Sequence, residues 1–344
     1  MKKKLIMIYS ESEEATLLER NVKRLKLPVD IERPPAGEDL YRRAAKDKEN
    51  MYVMGKTFLH GTKVKTYDHF REIFRLDDFR HLLFIEKPPF RFKQGTDDNI
   101  NSRNCGVMLA NISSFVNYSN LHKFNKFTYK ADMNATVSRF RKHWLGLNKD
   151  TGDIPKTRNL VYLPLQLPQD ISLRSRGAET YPVNEMINVI YKLFARMYND
   201  FVIVVREHPY HRGNYKYIFD FDDNRVITTS SISHYALLTA AKVVVSFNSS
   251  ALAEAALLHK KILYFSNMPV VDCNDIGYRV PSWNYAGGRF LNENAMVIRD
   301  YLMTDIDTEA YNKYVYFIIN EMSFFNNFTA RKDLKIFLVK KLGL

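Results

Sequence analysis

Three short apolar runs, Phe201–Val205, Lys242–Phe247 and Lys260–Phe265, constrain the fold of this chain more than any other feature. They are rich in Val and Ile, too short to be buried helices, and separated by helical patterns. Strands of a parallel sheet, covered on both faces, read this way. Two polar clusters, Glu207-His208-Pro209 and Asn248-Ser249-Ser250, fall directly after such runs. In an open α/β sheet the carboxyl ends of the strands bind ligands, and N–H groups at the helix starts there suit phosphate.

The same alternation extends upstream. Asn159–Leu165 predicts a strand, Gln166–Ser172 its carboxyl-end loop with Asp170, and Val183–Tyr198 an amphipathic helix behind Pro182. In the first half, Lys4–Ser10, Met51–Phe58 and His81–Ile85 predict strands, and Glu11–Leu25, Asp39–Lys48 and Tyr67–Phe74 predict helices. Asn148–Arg158, with Gly, Pro and charges, reads as a linker. The expectation is an α/β protein with domains at 1–150 and 151–310. A helical tail at 311–344 is expected to pack across the domains or lie on a membrane surface.

Composition narrows the partners. The net charge of +13 attracts polyanions: nucleic acid, anionic lipid, acidic polysaccharide or nucleotide sugars. The basic, aromatic stretch Phe124–Trp144 fits nucleic-acid binding or a solvated helix with its aromatics turned inward. No helix-turn-helix, zinc-finger or RNP pattern accompanies it, so nucleic acid is not the expected partner. Cys105 and Cys273 make no disulfide framework and read as reduced structural residues. No apolar run has transmembrane length and neither end resembles a targeting signal, so the expectation is a cytoplasmic protein or one attached to a membrane face.

Each polar cluster has a chemical reading beside a plain one. His208, with its backbone restrained by Pro209, can hydrogen-bond a phosphate and stabilise charge on a departing nucleotide, or serve structure alone. Ser249 or Asn248 can cap the helix beginning near Ser250 and leave donors for a phosphate, or simply cap. Glu254, one turn on, lies on a face that could meet ribose hydroxyls, or is an ordinary helix-surface or capping residue. Asp170 and Glu86, both at strand ends, could form a carboxylate pair for glycosyl chemistry. Alternatively, Asp170 shapes a turn and Glu86 is an exposed loop residue. Asp220-Phe221-Asp222-Asp223 is similar to a DxD metal motif but sits as an acidic turn. No zinc spacing, Walker loop or GxGxxG is present.

Taken together, YLPLQLPQDIS, REHP and VVVSFNSSALAEAALLHKKILYF resemble the bacterial capsule-synthesis family that includes the retaining β-Kdo glycosyltransferases. The resemblance spans about Tyr162 to Phe265. It implies a GT-B arrangement of two Rossmann-like domains facing across a cleft. It also implies CMP-Kdo as donor, no further cofactor or catalytic metal, and a glycan or glycolipid acceptor, with an anionic membrane surface as a further partner. On that pattern Asp170 is the catalytic carboxylate, and His208, with Pro209 beside it, contacts the CMP phosphate. Ser249 and Ser250, behind Asn248, bind the same phosphate, and Glu254 holds the ribose. HLLFIE and SRNCGVML are similar to the family's glutamate-ending strand and Arg-x-x-Gly turn. These make Glu86 the acid/base and Arg103 the ligand of the sugar carboxylate. Lys87-Pro88-Pro89 replaces the family's glycine-rich context. Transfer of sialic acid or a UDP- or GDP-activated hexose is the alternative within enzymes. Outside them, it is a non-catalytic polyanion-binding protein of the same fold.

Overall fold

The computed structural model describes residues 3–8, 13–34, 43, 47, 49–55, 82–86, 90, 106–111, 132–148, 153–168, 183–211, 213–219, 221, 224–247, 249–265, 276–280, 288–325 and 331–344. These divide into two compact units. Of the described residues, those within 1–91, 101–129 and 316–344 form the first, and those within 130–315 the second. The division differs from the expected boundary near 150, because the helix at 133–147 belongs with the second unit. It differs again in the tail, which from Tyr316 onward belongs to the first.

The first unit is built on strands β1 (Lys3–Ile8), β2 (Val29–Glu32), β3 (Met51–Gly55), β4 (Leu82–Glu86), β5 (Gly106–Asn111) and β12 (Ser323–Phe325), ordered β12-β5-β4-β3-β1-β2. The pairs among β1 to β4 are parallel, whereas β5 runs antiparallel to both β4 and β12. Helix α1 (Glu13–Arg24) places Ala15, Leu18 and Val22 against Leu5, Met7, Val53 and Ile85. The C-terminal helix, Arg331–Leu342, adds Leu334, Phe337, Leu338 and Leu342 to the same core. Its apolar stripe is therefore used inside the first unit, with Lys335 and Lys340 left on its exposed side.

The second unit opens with α2 (Met133–Leu147), which buries Met133, Val137, Phe140 and Trp144 and exposes Arg139 and Lys142. From Met133 to Trp144 this is the inward-packing alternative for the basic stretch; residues 124–131 lie outside the described residues. Strands β6 (Leu160–Pro164), β7 (Val202–Arg206), β8 (Val226–Thr229), β9 (Val243–Ser246), β10 (Lys261–Tyr264) and β11 (Tyr278–Arg279) form one sheet, ordered β11-β10-β9-β6-β7-β8. All its pairings are parallel. Every residue of β6, β9 and β10 is buried, which explains their unbroken apolar runs.

Between these strands lie α3 (Val183–Met197), α4 (His234–Ala240), α5 (Ala251–Leu257) and α6 (Gly288–Met303), followed by α7 (Thr308–Tyr316). Helix α3 buries Val183, Met186, Ile187, Ile190, Leu193 and Phe194, a face with helical spacing, against Ile203 and Val205. Burying one such side chain is worth roughly 1.5–3 kcal/mol. The helix end of the first unit can now be labelled α8 (Arg331–Leu342). Both units are Rossmann-like α/β layers, the pairing found in the GT-B class.

Candidate functional site

Strand order locates the site in the second unit. Strand β6 comes first in the chain, β7 and β8 lie to one side of it, and β9, β10 and β11 lie to the other. The direction of winding reverses between β6 and β9, the topological point at which open α/β sheets bind their ligands. The loop after β6 leads to Asp170, and the loop after β9 leads through Asn248 into Ser249 and Ser250. His208 follows β7, the neighbouring strand.

Hydrogen bonds tie these strand ends together. The Leu165 N–H donates to the Arg206 carbonyl at 2.9 Å, and the Ser246 hydroxyl donates to the Pro164 carbonyl at 3.4 Å. The Ser249 N–H donates to Ser246 Oγ at 3.4 Å, and Ser249 Oγ accepts the Ala251 N–H at 3.3 Å. Ser249 thus caps α5 as expected of that residue type, whereas the Ser250 side chain makes no capping bond.

His208 is half-buried, and Pro209 opens the single 3-10 turn Pro209–His211. Its Nδ1 accepts the Tyr210 N–H at 3.3 Å, which leaves the proton of the neutral ring on Nε2, the form that donates to a phosphate oxygen. Beneath it, Arg206 is buried and donates through Nε to the Ile232 carbonyl at 2.8 Å.

Glu254 has no exposed surface, unlike the ligand-facing position expected of it. Its Oε2 lies 2.8 Å from His234 Nε2, and His234 Nδ1 lies 2.7 Å from the Tyr162 hydroxyl. For a neutral imidazole the chain runs from the Tyr162 O–H to Nδ1 and from Nε2–H to the carboxylate. It pins α5 to α4 and to β6.

The remaining expected site residues are placed in part. Glu86 ends β4, its backbone opposite Met108 of β5, and its side chain lies outside the described residues. Asp170, Arg103 and Asn248 also lie outside them, as do Asp220, Asp222, Asp223, Cys105 and Cys273. Among the described residues no group of three His, Cys, Asp or Glu side chains gathers as a metal site requires. Among them, too, no helix is long and apolar enough to cross a membrane.

Three residues beside His208 escape a motif-based reading. Glu207 is buried; it accepts the Gly213 N–H at 2.7 Å and the Tyr217 hydroxyl at 2.9 Å. The Tyr215 hydroxyl donates to the Gln166 carbonyl at 2.8 Å and lies near the His208 backbone N–H. Burial pushes the Tyr215 phenol well above its ordinary range; the His208 N–H opposes this and the Glu207 charge adds to it. The sequence signal for this arrangement is Tyr215, Tyr217, Phe219 and Phe221, alternating as in an extended segment with one face inward.

The model of the capsule polysaccharide biosynthesis protein family matches residues 84–270, more than half of the chain. The chain belongs to this family. The match takes in the strand ends just described and the Glu86 position. Capsule polysaccharide biosynthesis proteins have solved structural counterparts of the same fold. Thermosulfurimonas dismutans KpsC, as its β-Kdo 2,7 transferase, aligns with a TM-score of 0.56 at 11% identity, covering 98% of this chain and 99% of that one. The β-Kdo 2,4 transferase of the same KpsC aligns with a TM-score of 0.54 at 15% identity, covering 90% and 89%. At these identities the likeness is one of fold. No curated protein matches this capsule-family chain.

Proposed function

We propose that this capsule-family protein is a retaining glycosyltransferase that moves β-Kdo from CMP-Kdo to a growing surface glycan or glycolipid. The observation carrying this reading is the juncture at the winding reversal. There the Ser249 cap and the Gln166 loop that leads to Asp170 flank β6 and β9, with His208 on the next strand. A donor with an anionic phosphate and a reacting sugar needs an anion-binding loop beside a carboxylate, and loops at a winding reversal are where open α/β sheets hold such groups.

In the proposed reaction a carboxylate oxygen of Asp170 bonds to the anomeric carbon as the bond from that carbon to the CMP phosphate oxygen breaks. His208 Nε2–H and the Ser249–Ser250 helix start stabilise the charge on the departing phosphate. An acceptor hydroxyl then displaces Asp170 and passes its proton to Glu86, so two inversions return the original configuration. Arg103 pairs with the sugar carboxylate. Glu254, fully buried against His234, serves by holding α5 in place. A net charge of +13 favours the anionic donor and an anionic membrane or acceptor.

A thermal-shift panel of CMP, UMP, UDP and GDP, with and without divalent metal, tests the donor. Saturation at about a hundred times the dissociation constant adds roughly 2.7 kcal/mol of apparent stability. Stabilisation by CMP without metal, lost in His208→Ala, is the expected outcome, with Asp170→Ala keeping CMP binding and losing transfer. Selective stabilisation by UDP or GDP would assign another sugar nucleotide. Salt-sensitive binding of every polyanion, with no nucleotide preference, would replace the enzyme by a binding protein.

A further inference from the structure

Between β7 and β8 the chain makes a strap that the site motifs do not explain. Residues 213–219 run extended over α3, where Asn184 accepts the Ile218 N–H at 3.0 Å and donates to the Lys216 carbonyl at 3.2 Å. Tyr215, Tyr217, Phe219 and Phe221 turn toward the core of the second unit, and Phe221 stacks on Tyr191 with ring centroids 3.6 Å apart. Lys216 and Ile218, in the alternate positions, are exposed. Such a strap has little freedom to shift along α3, because both its backbone and its rings are held.

From this fixed base two hydroxyl groups reach back to the loops of the site. Tyr217 donates to Glu207, whose other carboxylate oxygen closes the turn by accepting the Gly213 N–H. Gly213 has a φ of +70°, a left-handed conformation that glycine adopts at little cost. The turn that begins at His208 is thereby closed at its base by one buried carboxylate. Tyr215, itself on the connection leaving β7, contributes the second link, its hydroxyl donating to the Gln166 carbonyl at 2.8 Å. That single oxygen joins the loop leaving β6 to the loop leaving β7. The strand ladder also joins them, at Leu165 and Arg206, but ends before either functional segment begins.

We propose that Glu207 and Tyr215 are positioning residues that hold His208 as an Nε2–H donor in register with the Gln166 loop. Neither needs to touch the donor. Glu207 sets the turn on which the Tyr210 N–H reaches His208 Nδ1, which selects the ring tautomer. Tyr215 sets the distance between the histidine backbone and the segment leading to Asp170. A displacement of about 1 Å in such a frame is enough to cost on the order of a hundredfold in rate.

The test reads the His208 ring directly by ¹⁵N NMR of histidine-labelled protein, with His208→Gln identifying the signal, alongside titration with CMP. In the parent the ring is expected as a single Nε2–H tautomer. Tyr215→Phe keeps the ring that packs 4.6 Å from His211 but removes the bridging oxygen. It and Glu207→Ala are expected to move the signal toward a mixture of tautomers and to weaken CMP binding about tenfold. Glu207→Gln, which can still meet the Gly213 N–H and the Tyr217 hydroxyl, is expected to restore both. Should Glu207→Ala fail to fold, the near-isosteric Tyr215→Phe decides. The proposal is overturned if Tyr215→Phe leaves the His208 signal unchanged, or if Glu207→Gln perturbs it as much as Ala does. The affinity arm rests on the donor-binding reading above. If the parent does not bind CMP, that reading fails and the His208 signal alone decides this one.

Discussion

His234 Nε2 lies 2.8 Å from Glu254 Oε2, and both side chains are buried, Glu254 completely. Removing one partner leaves the other polar group without its bond where water cannot replace it. Glu254→Ala is therefore expected to cost about 1–3 kcal/mol of stability, and Glu254→Gln, which keeps an acceptor oxygen, about 1 kcal/mol or less. Urea denaturation checks both through the shift in midpoint at unchanged slope. A Glu254→Ala protein as stable as the parent but weaker for nucleotide would return Glu254 to the ribose.

Stability on the acid side of neutrality is expected to depend on His259. Its Nε2 sits 2.6 Å from Arg141 Nη2 and 2.9 Å from Asn312 Oδ1. With Nε2 unprotonated the ring accepts from the guanidinium; protonated, it donates to Asn312 Oδ1 but places a second cation against Arg141. Burial holds the His259 pKa below its ordinary 6.5, the Asn312 bond opposes this, and the Arg141 charge lowers it further. A lowered folded-state pKa means that the unfolded chain binds more protons in the window below 6.5. The contribution is present above that value and lost as pH falls through the folded one. His259 also has a φ of +53°, closing α5 with the Lys260 N–H on the Ala255 carbonyl at 2.9 Å, and asparagine suits that conformation. Melting curves from pH 7 downward should show His259→Asn losing less stability than the parent; parallel curves would remove His259 from the pH response.

Gly277 precedes β11 at a place with no room for a side chain. A Cβ there would meet Ile262 Cγ2 at 3.1 Å and the Tyr264 ring at 3.2 and 3.3 Å. Both neighbours are buried and cannot swing into solvent. Gly277→Ala is expected to destabilise by about 1–3 kcal/mol, as overpacking does, measured as a lower denaturant midpoint. An unchanged midpoint would mean that β11 shifts away from β10 without cost.

The strands at the centre of each sheet were legible because burial on both faces demands an apolar residue at every position. Phe201–Val205, Lys242–Phe247 and Lys260–Phe265 overlie β7, β9 and β10 to within about a residue at each end. Helix α3 was equally clear, since its apolar residues follow the helical repeat. Two other strands carry no such signal. β2, four residues directly after Pro28, and β5, where the sequence suggested only a turn, depend on partners elsewhere. β5 pairs with β4 and with β12, more than two hundred residues away in the chain.

The candidate site divides along the same line. Local pattern placed His208 and Ser249 at strand ends, because a strand, its loop and the next helix start are consecutive in the chain. The roles of Glu207, Tyr215 and Glu254 came from contacts with Tyr217, Gln166 and His234, which only the packed sheet brings within reach. By itself, then, the sequence determined which residues are buried and in what periodic order, and hence two α/β layers with polar strand ends. The tertiary structure decided which buried polar groups meet. Periodicity encodes the face on which a side chain lies, whereas hydrogen-bond partners depend on strand order and register.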